Sequence, residues 1–87
     1  RETVDLYAHD KELFILGAQD NIVEVLNTEE DVITDKLFLN TNAFATNITP
    51  IENTEMIMIT NARSGLYSVI DTASKEIVKT SPLDVPV

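Results

Sequence analysis

The residue types able to do chemistry are few in this chain, and each has a structural use that competes with the chemical one. His9 stands beside Asp10 in the stretch AHDK. A histidine next to a carboxylate can act as a general base held by its orienter, but that chemistry also needs a nucleophile and a converging pocket. Adjacent residues in a turn rarely converge in that way, so His9 reads as a surface histidine. It is the single histidine and there is no cysteine. Neither a His-based zinc site nor a thiolate site is expected.

Glu29-Glu30-Asp31 is the densest acidic run, with Asp35 close by. Calcium takes about six to eight oxygen ligands from a shaped loop, and no alternation here ends in Gly and Glu. The run reads as a solvated turn. Asp20-Asn21 reads the same way, as turn chemistry. Tyr7, Phe14, Phe38, Phe44 and Tyr67 are the aromatic residues, without any Trp, which suits packing better than the stacking of sugars. Met56 and Met58 alternate with Ile57 and Ile59 and read as core. Asn47-Ile48-Thr49 is a glycosylation sequon, but it lies on an expected inner strand, where use is not expected. No catalytic, metal or cofactor-binding residue is assigned, no cofactor is expected, and a non-enzyme is favoured.

Charge narrows the partners. The formal net charge is −9, from 15 acidic and 6 basic residues, and the basic ones are scattered. Phosphate backbones are bound by clustered Lys and Arg, so neither nucleic acid nor an anionic membrane is an expected partner. A hydrophobic content of 44% argues against disorder. No apolar run approaches the ~20 residues that span a bilayer as a helix, so membrane insertion is not expected. The chain starts on Arg1 without an apolar leader after it, which reads as a mature form or a piece of a longer polypeptide.

The elements that must position these residues are short and β-branched. "ELFILG" (12–17) and "IVEVLN" (22–27) read as two strands of a hairpin. "EMIMIT" (55–60) and "LYSVID" (66–71) repeat the design across "NARSG", where Asn61, Ser64 and Gly65 suit tight or left-handed conformations. "LYSVIDTASKEIVKT" (66–80) is ambiguous alone. Leu66, Val69, Ile70, Ala73 and Ile77 also meet helical spacing, while Tyr67, Val69, Ile70, Ile77 and Val78 favour strands.

The outline of that stretch recurs earlier in "IVEVLNTEEDVITD". Laid side by side, Thr3 falls on Thr46, Glu12 on Glu55 and LFIL on MIMI. One extra residue in the second turn then brings Ile22, Asn27, Thr28 and Ile33 onto Leu66, Asp71, Thr72 and Ile77. A period of about 40–45 residues built from four short strands is that of a propeller blade. Helix–turn–helix repeats of similar period have longer segments, richer in Ala, Leu and Glu. The expected strands are 3–8, 12–17, 22–27 and 31–39, then 46–51, 55–60, 66–71 and 76–80. The fold expected is all-β: residues 1–87 form one propeller segment, with blade one over about 3–44 and blade two over about 45–87.

"ITNARSGLYSVIDTASKEIVKT" resembles the YVTN-type β-propeller repeat family, through Ile59-Thr60-Asn61 and Ser68-Val69-Ile70-Asp71-Thr72. The first half departs from the pattern, with Leu16-Gly17-Ala18 and Val25-Leu26-Asn27-Thr28 at the matching places. Asn27, Thr28, Asn61, Gly65, Asp71 and Thr72 are the expected turn and repeat residues. The resemblance implies a scaffold or partner-binding surface, not one chemistry. Closed rings take about 4–8 blades. Two blades are therefore expected to belong to a larger propeller, with three or four copies closing a ring as the other route. The function expected is a non-catalytic binding or scaffolding module in an extracytoplasmic assembly, in the periplasm or at the cell surface. Its partner would be a protein or the remaining blades. The alternatives are the propeller part of a periplasmic redox enzyme whose cofactor lies elsewhere, and a small oligomeric lectin.

Overall fold

The computed structural model describes residues 3–17, 21–39, 47–61 and 65–82. These form β1 (Thr3–His9), β2 (Glu12–Gly17), β3 (Ile22–Asn27), β4 (Val32–Phe38), β5 (Asn47–Pro50), β6 (Met56–Asn61), β7 (Leu66–Asp71) and β8 (Glu76–Pro82). They make two four-stranded antiparallel sheets, ordered β1-β2-β3-β4 and β5-β6-β7-β8. The helical spacing of 66–80 is thus resolved as strand, turn, strand. β7 finds partners on both sides, in β6 and β8, which satisfies its backbone groups without a helix. Asp20, Phe44 and Ser64, and the stretch between the two sheets, lie outside the described residues.

The two sheets repeat each other in detail. Glu12 pairs with Asn27, and Met56 with Asp71. Asn27 pairs with Val32, and Asp71 with Glu76. Each third–fourth strand pair carries a register shift at the same place, which passes over Thr34 in one sheet and Val78 in the other. An extra residue of this kind sharpens the local twist. Left-handed backbone recurs too, at Asn21 (φ 52°) and Gly65 (φ 71°), and at Asp31 (φ 59°) and Lys75 (φ 61°).

This register corrects the sequence alignment in one respect. Glu12 falls on Met56, not on Glu55, so the second through fourth strands share one offset. The length difference sits in the first hairpin. His9 pairs directly with Glu12 across Asp10-Lys11, whereas the Ile51 N–H reaches the Met56 carbonyl around a longer turn. Asp10 (φ 53°) and Asn53 (φ 63°) supply the left-handed residue in each, a conformation that short polar side chains tolerate better than most.

Side chains alternate across a strand, and paired residues share a face. Phe14 pairs with Tyr7 and Val25, and Leu16 with Asp5 and Val23. Phe14, Leu16, Val23 and Val25 are fully buried. This front face of the first sheet packs on the face of the second that carries Ile48, Ile57, Ile59 and Ile70, in one apolar cluster with Leu39. Each side chain so buried is worth about 1.5–3 kcal/mol.

The two packed faces are not equivalent. By register, the second-sheet counterparts of Phe14 and Leu16 are Met58 and Thr60, which lie on its far side. The counterparts of Ile57 and Ile59 are Leu13 and Ile15, on the far side of the first sheet. The sheets therefore stack front to back, related by repetition and not by facing symmetry. Their backbones come closest at β1 and β5.

Candidate functional surface

The first and third hairpin turns of each sheet lie at one end of the molecule. Two of them are built by the same device. After β3, the Asn27 Oδ1 accepts the backbone N–H groups of Glu29 (2.9 Å) and Glu30 (3.0 Å). After β7, the Asp71 Oδ1 accepts those of Ala73 (2.9 Å) and Ser74 (3.2 Å). Such local bonds hold the chain in a turn and away from helix or sheet.

The next residue anchors each turn to the neighbouring hairpin. The Thr28 N–H (2.8 Å) and Oγ1 (3.1 Å) both donate to the Lys11 carbonyl. The Thr72 N–H (2.8 Å) and Oγ1 (2.7 Å) both donate to the Glu55 carbonyl. Thr72 is buried, while Thr28 is exposed. At the other end, the Gly65 N–H donates to the Asn61 carbonyl at 3.0 Å, and Asn61 is buried. The six turn and repeat residues thus fall into two groups, with Asn27, Thr28, Asp71 and Thr72 at the hairpin end and Asn61 and Gly65 opposite.

The hairpin end is strongly charged. His9 Nε2 lies 3.3 Å from Glu55 Oε2 of the other sheet and 3.7 Å from Asp10 Oδ2. Its ring stacks beside Tyr7, with centroids 6.2 Å apart, and Tyr7 in turn tilts against Phe14. Lys75 Nζ bridges to Glu12 Oε2 at 2.9 Å, again from sheet to sheet, and both side chains are half-buried. Lys11 meets Glu29 at 3.3 Å. Glu30, Asp31 and Glu52 are exposed around these pairs. His9 is thus a pairing and packing residue at the seam between the sheets, with carboxylates and an aromatic ring about it.

In the acidic run, Asn27 takes the backbone N–H groups of Glu29 and Glu30, and Lys11 takes the Glu29 carboxylate. Among the described residues no group of three or more His, Asp or Glu could hold a metal ion. No cleft opens among them either. Of the remaining candidates, Ile57 and Ile59 are core, but Met56 and Met58 are only half-buried, because their face of the second sheet has no sheet upon it. Phe14 is core, whereas Phe38 is exposed at the end of β4. In the sequon, Asn47 is exposed at the start of β5, with Nδ2 3.4 Å from Thr49 Oγ1.

Tyr67 marks the far side of the second sheet. The Lys79 ammonium sits 5.7 Å from its ring centroid. Hydrogen bonding by Lys79, with Ser81 acting in the same direction, holds the phenol below its ordinary value. Tyr67 is half-buried at the sheet surface, and its hydrogen-bonding neighbours outweigh the opposing effect of burial.

Three inter-sheet contacts lay beyond the sequence: the His9–Glu55 pair, the Lys75–Glu12 pair and a bond from the Ile48 N–H to Asp5 Oδ2 at 2.7 Å. Their partners are far apart in the chain, and only the stacking brings them together. No family model matches the chain, and no curated protein matches it.

Proposed function

We propose that the chain is a pair of β-propeller blades serving as a non-catalytic binding or scaffolding module in an extracytoplasmic protein assembly, at a cell surface or in a periplasm. The observation that carries this reading is the front-to-back stacking of two sheets with the same strand order, register and bulge. Packing of that kind has no built-in end after two sheets and is completed by more of them. The YVTN-like residues fit the same picture. Ile59-Thr60-Asn61 ends β6, and Ser68-Val69-Ile70-Asp71-Thr72 runs through β7 into its turn.

The partner suited to this module is a protein with a basic contact surface. Asp10, Glu29, Glu30, Asp31, Glu52 and Glu55 crowd the hairpin end, against Lys11 and Lys75. Charge of one sign attracts its complement and weakens with salt. The test is affinity capture and cross-linking from the native source at low and high salt. A protein partner cross-linked to the hairpin end, and lost when Glu29→Gln, Glu30→Gln and Asp31→Asn are combined, is the expected result. Cross-links confined to other surfaces, or capture indifferent to those substitutions, would overturn the assignment.

A further inference from the structure

We infer that the back face of the β1–β4 sheet is the seat for the front face of the β5–β8 sheet of a second copy of this chain, so that copies join head to tail. The inference deepens the reading of the chain as a blade pair and rests on it.

The repeat itself says what fits on this face. Within the chain, the back of the second sheet (Ile57, Ile59, Ile70) is covered by the front of the first. The register places Leu13, Ile15 and Leu26 at those three positions in the first sheet. Around them stand Leu6 and Ile33, counterparts of Ile48 and Ile77, with Phe38 beside them. Leu6 is 53% exposed, Ile33 43% and Phe38 65%. The face also carries the Glu24–Lys36 pair (3.9 Å), which is neutral as a unit. Around that pair it is apolar and built like a core face, yet open to water, which marks a contact surface.

The complementary face is present in every copy. The front of the second sheet carries Met58 and Val69 where the first sheet carries Phe14 and Val25, and Tyr67 where it carries Val23. Asn47 stands where Asp5 stands in the first sheet. A front-to-front or back-to-back pairing would set like faces together, which is not how the two sheets of one chain associate. The contact is heterologous. It leaves a free front and a free back at the ends of any open array, and it terminates when the rotation closes a ring.

The experiment is light scattering coupled to size exclusion on the whole chain and on two classes of variant. Leu6→Glu and Phe38→Glu block the back through exposed side chains. Met58→Glu and Tyr67→Glu block the front. Circular dichroism and thermal melting establish that each variant is folded, and having two variants per face keeps the test open if one fails to fold. The native chain is expected to run as a multiple of its 9.7 kDa mass. Each class is expected to weaken association by on the order of tenfold or more. Mixing a back-blocked with a front-blocked variant is expected to restore a one-to-one dimer, since each still offers the face that the other needs.

A native chain that is monomeric at high concentration would overturn the inference. So would front variants that associate like the native chain, or a mixture that stays monomeric. A folded monomer that still captures a protein partner through its hairpin end would sink the copy-to-copy contact and leave the module reading standing.

Discussion

The carboxylate of Asp5 accepts the backbone N–H of Ile48 at 2.7 Å and so ties the first strand of one sheet to the first strand of the other. Its other oxygen accepts the Leu6 N–H at 2.9 Å. The register of β1 shifts between Thr3 and Asp5, which places Asp5 opposite Leu16 on the packed face. Ile48 is buried at the closest approach of the two sheets. Asp5→Ala leaves that N–H without its acceptor and is expected to cost about 1–3 kcal/mol. Asp5→Asn keeps one acceptor oxygen and is expected to cost less. Denaturant unfolding of the two variants checks the order, and amide exchange at Ile48 should quicken in Asp5→Ala before the rest of β5–β8. Equal costs would place the role of Asp5 elsewhere.

Thr72 and Thr28 make the same pair of bonds in the two sheets, yet their burial differs. The Thr72 Oγ1 gives a 2.7 Å bond to the Glu55 carbonyl from a side chain that is 2% exposed. Thr28 reaches Lys11 at 3.1 Å from an exposed position, where water can replace it. Thr→Val keeps the shape and removes the hydroxyl donor. Thr72→Val is expected to lose about 1–2 kcal/mol and Thr28→Val a few tenths. Thermal unfolding of the two variants decides it, and a larger loss at Thr28 would contradict the argument.

These contacts also mark where sequence reasoning ends. The β-branched runs 12–17, 22–27 and 66–71 were legible as strands with the bounds now observed, because alternation and turn residues are local signals. The helical spacing of Leu66, Val69, Ile70, Ala73 and Ile77 was the competing signal. It lost because β6 and β8 supply hydrogen-bond partners that no local pattern reveals. The repeat was visible too, but its register was not. LFIL and MIMI look alike, whereas pairing with Asn27 and Asp71 sets Glu12 against Met56. A two-residue turn and a longer one can each follow a strand, and sequence similarity places the gap wherever residue classes agree best. The Asp5–Ile48 bond and the Lys75–Glu12 pair depend on stacking, so a strand-by-strand reading had no access to them.

Gly65 holds φ +71° with nothing within 4 Å of a built Cβ. A side chain there meets no obstacle, and the cost of one comes from the left-handed backbone alone. Gly65→Ala is expected to destabilise by about 1 kcal/mol. Gly65→Asn is expected to be nearly neutral, since Asn21 holds the same conformation at the matching place in the first sheet, at φ 52°. Chemical denaturation of both variants separates backbone strain from crowding. An equal loss for Ala and Asn would remove the conformational explanation.

Tyr67 gives the chain a pH dependence confined to alkaline conditions. Lys79 and then Ser81, by hydrogen bonding, lower its phenol below the ordinary value of 10.0. The folded state therefore releases this proton more readily than the unfolded chain does. By linkage, the contribution to stability is absent at neutral pH. It grows as pH rises through the folded value and is complete only above the unfolded value. Tyrosinate absorbance should accordingly show a titration step below 10.0. Tyr67→Phe should abolish that step, and Lys79→Met should move it upward by removing the leading cause. A step that survives Tyr67→Phe, or one that Lys79→Met leaves in place, would show that this pair does not set the titration.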